Sequence, residues 1–230
     1  MIIGASPDTD YTILKLSKGL YGHFKLKRVY FSAFVQPPDW MGRRPDAAPA
    51  GFDALLLREH RLYQADWLMR FYGFDAEELL DERNQSLSAD VDPKCEWALR
   101  HPEAFPVEVN TAPLETLLRV PGVGPTSARR VIDARRQGNL RIEHLRKLGV
   151  VMKRAQFFLT AGGKFGGTLT PGHPLLRRHL SDGRDIRQLS LFDTPETPPL
   201  PPGVTDPSSM EFAAPGDLKA LPVPLTDNAV

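Results

Sequence analysis

Apolar and ring-bearing residues recur at spacings of three and four along residues 53–74. Leu56, His60, Tyr63, Trp67 and Phe71 form the stripe, and Leu57, Leu68 and Met69 widen it. That period predicts one long helix with this face toward a core, stopped at Gly73. Ahead of it the period changes. Residues 1–5 are a short apolar run, and Ser6-Pro7-Asp8 carries the signals of a helix start. Ile13, Leu14, Leu16, Leu20 and Tyr21 follow as a rough helical stripe, and residues 29–35 are β-rich. The pattern predicts a strand–helix–strand unit over 1–35 with parallel strands. Two parallel strands cannot cover both of their faces. The unit is therefore the end of something larger or is weakly ordered. Met1 stands directly at a strand, which points to a chain cut from a longer parent.

Residues 36–52 read as a Pro/Gly-rich connector, and residues 36–109 as a helical connecting region. Asp75 can cap a short helix over 76–81, with Glu77 and Glu78 at its positive end. A further helix is expected over 93–100. From residue 110 the elements shorten. Asn110 or Thr111 can cap a helix to about Arg119. Residues 121–125 make a turn, and a second helix runs from Thr126 to about Arg136, with Ala128, Val131 and Ile132 inward and Gly138 ending it. The arrangement then repeats loosely as a helix over 142–147, a turn at Leu148-Gly149-Val150 and a helix over 152–159. Two such pairs back to back can bury one shared core, which a single pair could hardly do. Past residue 161 order is expected to fade. Residues 162–167 read as a flexible link, and residues 195–230, with nine prolines, as a disordered tail. The predicted class is mainly α.

Composition adds little until it is resolved along the chain. Among 230 residues, 41% are hydrophobic and 25% charged, as in ordinary globular proteins. The single cysteine, Cys95, excludes an internal disulfide framework and fits a reducing, cytoplasmic setting. No apolar run reaches the roughly 18 residues of a membrane span, and no secretory signal is evident. Net charge is +1, but it is unevenly spread. Residues 1–109 hold 13 Lys/Arg and 17 Asp/Glu, residues 110–160 hold 10 and 3, and residues 161–230 hold 6 and 8. The differences are −4, +7 and −2. A basic island of this kind is either a polyanion site or a solvated face.

The turn inside the island decides in favour of an anion. Gly122 and Gly124 leave the backbone of Pro121-Gly122-Val123-Gly124-Pro125 bare for close approach. A helix begins just after, and its first N–H groups lack internal partners at the positive end of the dipole. Thr126 and Ser127 add hydroxyls, and Arg129 and Arg130 lie one turn in. Such contacts grip phosphates without reading bases. Together with Asn110-Thr111-Ala112, Leu117-Leu118, Ala128, Ile132, Arg135 and Gly138, the turn resembles the helix-hairpin-helix module of competence DNA receptors and DNA-repair proteins. The resemblance implies DNA-backbone binding by residues 110–160. The second turn, around Gly149, lacks the second glycine. It reads as a structural mate, with Lys147, Lys153 and Arg154 as secondary phosphate contacts.

A second resemblance covers more of the chain. Residues 57–68, followed by Arg70-Phe71-Tyr72-Gly73-Phe74, Asp92-Pro93-Lys94 and Trp97-Ala98-Leu99-Arg100-His101-Pro102, are similar to the radical SAM DNA modification/repair proteins, often paired with a uracil-DNA-glycosylase-like partner. The resemblance implies that residues 1–160 are the C-terminal half of that family, and residues 1–35 the last strands of a partial (β/α) barrel. Gly4 would then run beside the adenine of S-adenosylmethionine. The family's three-cysteine motif is absent, and Cys95 alone cannot hold a [4Fe–4S] cluster. Both cofactors are expected only for a full-length parent. The chain is then a truncated product, a mis-started frame, or half of a split enzyme completed in trans. A protein-binding scaffold is the remaining alternative. On helix 53–74, Glu59, His60, Tyr63, Gln64 and Asp66 could line a substrate cavity, although packing with satisfied polar ends is the favoured reading. No compact set of metal ligands stands out.

Gln188, Leu189, Ser190, Leu191 and Phe192 resemble the pentapeptide that binds the bacterial sliding clamp. A flexible chain can present the two leucines and Phe192 to apolar pockets and Gln188 to a polar rim. A local apolar patch folding back on the domain is the alternative.

Overall fold

The computed structural model describes residues 1–34 and 51–181. Most of the 36–52 connector, the peptide at 188–192 and the proline-rich segment 195–230 lie outside the described residues. Among those described, the chain is mainly helical, with two small sheets.

The first unit is strand–helix–strand, as its pattern predicts. β1 (Ile2–Ile3) and β2 (Ser32–Ala33) pair in parallel, Ile2 opposite Ser32 and Ile3 opposite Ala33. α1 (Asp10–His23) connects them. Its cap is Thr9, whose hydroxyl accepts from Thr12 N–H at 3.2 Å. Ser6 lies too early and instead donates to the Asp8 carboxylate.

Such a short sheet survives because α2 (Phe52–Phe71) satisfies its edge. Tyr63 accepts from Phe31 N–H at 2.9 Å and donates to Phe31 O at 2.8 Å, while Glu59 accepts from Ala33 N–H at 2.6 Å. These side chains supply what a neighbouring strand would, so the backbone is not left unpaired. They serve the fold, as the packing reading of this helix has it.

The predicted inward face of α2 holds at Leu68 and in part at Leu57, His60, Tyr63 and Met69, but not at its other members. Leu56, Trp67 and Phe71 are 44%, 48% and 46% exposed, whereas Leu62, Ala65, Asp66, Leu68 and Arg61 are buried. Polar side chains bury here because each finds partners. Arg61 donates to Ser88 O, Ala89 O and Gln64. Asp66 accepts from Tyr21 and, at 2.9 Å, from Arg70. α2 packs against α1, the first sheet and α4 (Pro93–Arg100), so no single apolar stripe describes it.

The short elements that follow start where their caps stand. α3 (Ala76–Leu79) carries a reciprocal capping box between Asp75 and Glu78. Asp92 caps α4 by accepting from Lys94 and Cys95 N–H, each at 3.0 Å. After a 3-10 turn at Pro102–Ala104 come β3 (Val107–Glu108), α5 (Leu114–Arg119), α6 (Pro125–Arg135), α7 (Ile142–Lys147) and α8 (Met152–Ala155). Asn110 and Thr111 do not cap α5. Asn110 clamps the far side of the hairpin instead, accepting from Leu140 N–H at 2.8 Å and donating to Leu140 O at 3.1 Å.

The expected helix 152–159 ends after one turn. The chain extends into β4 (Leu159–Ala161), which pairs in parallel with β3 and antiparallel with β5 (Lys164–Phe165). Phe157, Phe158 and Leu159 are all buried, and three consecutive inward residues cannot share one helix face. Order does not fade at 161. Gly162 and Gly163 form the β4–β5 turn, their N–H groups held at 3.0 Å by the Glu108 carboxylate. α9 (Leu176–Leu180) then buries Leu176 and Leu180 and pairs Arg177 with Glu96. From Ile3 to Leu180 the buried apolar residues form one cluster, so the segments distinguished in the sequence share a core. No helix among the described residues is long and apolar enough to cross a membrane.

Candidate nucleic-acid interface

The two glycines of the first hairpin do different work. The turn between α5 and α6 is closed by Val123 N–H on Val120 O at 3.1 Å. Gly122 has φ +81°, and a Cβ there would lie 2.6 Å from Val151 O and 3.1 Å from Ala155 N. Its carbonyl accepts from Val151 N–H at 2.9 Å. Gly122 is thus where the second hairpin meets the first, and its bareness serves packing. Gly124 has φ −98° and stands as the N-cap of α6. The nearest atom to a Cβ there is the Tyr72 hydroxyl oxygen at 3.5 Å, an ordinary contact. Of the two, only Gly124 has no backbone atom crowding the Cβ position.

Ser127 is not a free hydroxyl. It is buried, accepts from Gly124 N–H at 2.8 Å and donates to Gly124 O at 3.0 Å. This loop fixes the first turn of α6. Among the described residues, nothing accepts from the N–H groups of Thr126 and Ser127. They point along the positive end of an 11-residue helix, the arrangement that binds anions. Thr126, Arg129 and Arg130 are exposed around it, as are Lys147 and Lys153 on the second hairpin. Arg130 lies over the second turn, 3.4 Å from the Cβ position of Gly149.

Two expected contacts, and one residue of the hairpin resemblance, sit apart from the anion site. The Val123 side chain is in the core. Arg154 is half-buried and paired with Asp92 at 3.0 Å, which ties α8 to the cap of α4. Arg135 donates to Val109 O at 2.9 Å and Ala112 O at 2.6 Å, so it braces the base of the hairpin.

Two residues behind the turn escape sequence reasoning. Lys94 is buried, and its ammonium donates to Val123 O at 2.6 Å and lies 4.5 Å from the Tyr72 ring centre. Burial pushes this group down to about 7. The Tyr72 hydroxyl oxygen lies 3.5 Å from the Cβ position of Gly124. Burial, and then the Asp92 charge, raise the Tyr72 hydroxyl. A lysine on a short helix reads as solvated in a sequence. The only hint lay in Asp92-Pro93-Lys94, noted for its resemblance alone.

The residues present do not fit the cofactors of a radical SAM enzyme. Space beside Gly4 is occupied by Leu55, whose Cδ2 lies 2.8 Å from the Gly4 Cβ position. Cys95 is buried, and burial pushes its thiol up, the reverse of what a cluster ligand needs.

Residues 103–153 match the family model of the helix-hairpin-helix motif. The match runs from the 3-10 turn into α8, taking in both hairpins, and it supports nucleic-acid binding. No curated protein and no solved structure matches the chain.

Proposed function

We propose that this chain is a cytoplasmic DNA-binding protein that grips the phosphate backbone, without sequence preference, at the start of α6. The observation that carries the reading is the pair of unpartnered N–H groups at Thr126 and Ser127, flanked by the exposed Arg129 and Arg130. Lys147 and Lys153 extend the same basic surface, and Arg154 borders it from its pair with Asp92. Titrating a DNA duplex against the full chain at several salt concentrations tests it. Contact with three to five phosphates gives a log–log slope of about −3 to −4. Binding that ignores salt, or no binding at low salt, overturns the proposal and leaves the protein-scaffold alternative.

The wider reading rests on the second resemblance. The chain serves as the DNA-anchoring part of a radical SAM DNA modification or repair protein, with S-adenosylmethionine and the [4Fe–4S] cluster held by residues outside it. A uracil-DNA-glycosylase-like protein would be a partner. The parallel β1–β2 pair is compatible with a barrel end. The peptide Gln188-Leu189-Ser190-Leu191-Phe192 recruits the sliding clamp. Clamp binding by the full chain that Phe192→Ala leaves unchanged, or that is absent at high micromolar concentration, removes that part.

A further inference from the structure

Trp67 and Phe71 are large, aromatic and about half exposed on a helix whose core face lies elsewhere. Their rings pack against each other, with centres 4.4 Å apart and planes at 48°. The Arg70 guanidinium lies 4.9 Å from the Phe71 ring centre and 5.8 Å from that of Trp67. It is held there by Asp66 at 2.9 Å and by Lys27 O at 3.3 Å. An open depression of about 480 Å³ adjoins this group, bordered by Tyr21, Leu26, Lys27, Arg70 and Phe71. The pair is joined to the hairpin. Tyr72 follows Phe71 directly in the chain, and its hydroxyl oxygen is 3.5 Å from the Cβ position of Gly124. One residue thus links the end of the aromatic pair to the turn that opens the anion site.

We infer that Trp67 and Phe71, with Arg70 clamped against them, form a stacking platform for an unpaired base of the strand whose phosphate the hairpin holds. The inference rests on the proposed function and narrows its substrate to DNA with an unpaired nucleotide, such as a bulge or a junction with single strand. Bases stack on aromatic rings and guanidinium planes without regard to sequence. That suits a backbone grip that is itself sequence-blind. Lys27 can meet a phosphate beside the rings, Arg70 offers its guanidinium plane while paired with Asp66, and the depression gives room beside Phe71. Arg70 needs little ordering on binding, because Asp66 and Lys27 O already hold it.

The test compares three DNAs against the full chain at one salt concentration: a perfect duplex, the same duplex with a one-nucleotide bulge, and that bulge with an abasic residue. The bulged duplex is expected to bind roughly tenfold more tightly than the perfect one, within the range of one stacked base. The abasic bulge should fall back to the duplex value. Trp67→Ala and Phe71→Ala should each remove the gain and leave duplex affinity unchanged, while Trp67→Phe should keep most of it. Each ring is removed in a separate variant, so a folding defect in one does not decide the matter. Equal binding of all three DNAs by the wild type, or a gain that survives both alanine variants, overturns the platform and leaves the hairpin intact. Absence of salt-dependent duplex binding overturns the hairpin instead.

Discussion

Replacing the two hairpin glycines one at a time separates packing from ligand approach. Gly122→Ala forces an L-residue to φ +81°, which costs about 1–2 kcal/mol. The added methyl would also lie 2.6 Å from Val151 O, a backbone atom that cannot rotate away. The second hairpin must shift, and the Val151–Gly122 hydrogen bond, about 1 kcal/mol, is the first contact to go. The sum is about 2–3 kcal/mol, or roughly 5–12 °C in melting temperature for a domain of this size. Gly124→Ala keeps an ordinary φ and meets only Tyr72 at 3.5 Å, so about 1 kcal/mol or less is expected. Thermal denaturation followed by circular dichroism measures both. Gly124→Asp should melt near the wild type yet bind DNA far more weakly, because it sets a carboxylate beside the anion site. If Gly122→Ala melts with Gly124→Ala, the division of labour between the glycines is refuted.

Arg129→Ala and Arg135→Ala, on one face-turning helix, should behave oppositely. The first should reduce the salt slope of DNA binding by about 1 with no change in melting. The second should lower stability by about 1–3 kcal/mol, since Val109 O and Ala112 O lose their donor. Glu108 supports the β4–β5 turn. Burial pushes its carboxyl up, but the N–H groups of Gly163, Gly162 and Asn110 outweigh this and hold it at about 2. A carboxylate so depressed contributes stability above its ordinary value near 4.5, lost as pH falls toward 2. Glu108→Gln should therefore cost about 1–2 kcal/mol at pH 7, after allowance for solvent screening, and nothing near pH 2 in acid-unfolding curves. Lys94 gives the same direction in a higher window, but from a buried ammonium that is disfavoured rather than a carboxylate that is favoured. Its folded value is about 7 against an ordinary 10.5, so between these the unfolded chain binds the extra proton. Stability should rise with pH across that window by up to about 1.4 kcal/mol per unit. Urea titrations should show that rise shrink in Lys94→Met.

The sequence yielded those elements whose ends carry local chemistry. Asp75 with Glu78, and Asp92 before Pro93, set helix starts that depend on residues within one turn, and α3 and α4 begin there. The α5–α6 hairpin and α7 were legible from their glycine and proline turns and apolar spacing, although the caps expected for α5 were not used. Elements fixed by distant partners were not. β3, β4 and β5 have two or three residues each, too few for an alternation to register. They exist because Glu108, Phe158 and the Gly162-Gly163 turn meet across about fifty residues. The face of α2 was misread because periodicity counts apolar residues, while Arg61 and Asp66 bury through bonds that no pattern contains. In the site, Arg129 and Arg130 could be read from position in the helix. The inward turn of Ser127 and the presence of Lys94 under Val123 could not, since both follow from hydrogen bonds chosen only once the core has closed.

Those hidden contacts bear on how the hairpin would hold a phosphate. Three constraints act on the turn from the protein side: Val151 on the Gly122 carbonyl, Lys94 on the Val123 carbonyl and Ser127 on both polar atoms of Gly124. Each takes up a backbone group that would otherwise compete for the ligand or let the turn rotate. The N–H groups left over are those of Thr126 and Ser127, and their directions are fixed by the helix they begin. A site whose donors are already oriented loses little conformational entropy on binding. The second hairpin, lacking the second glycine, contributes here chiefly through Val151, by holding the first in its working geometry. Under the proposed function, the anion site therefore needs both hairpins, the first for its helix start and the second for the contact that fixes it.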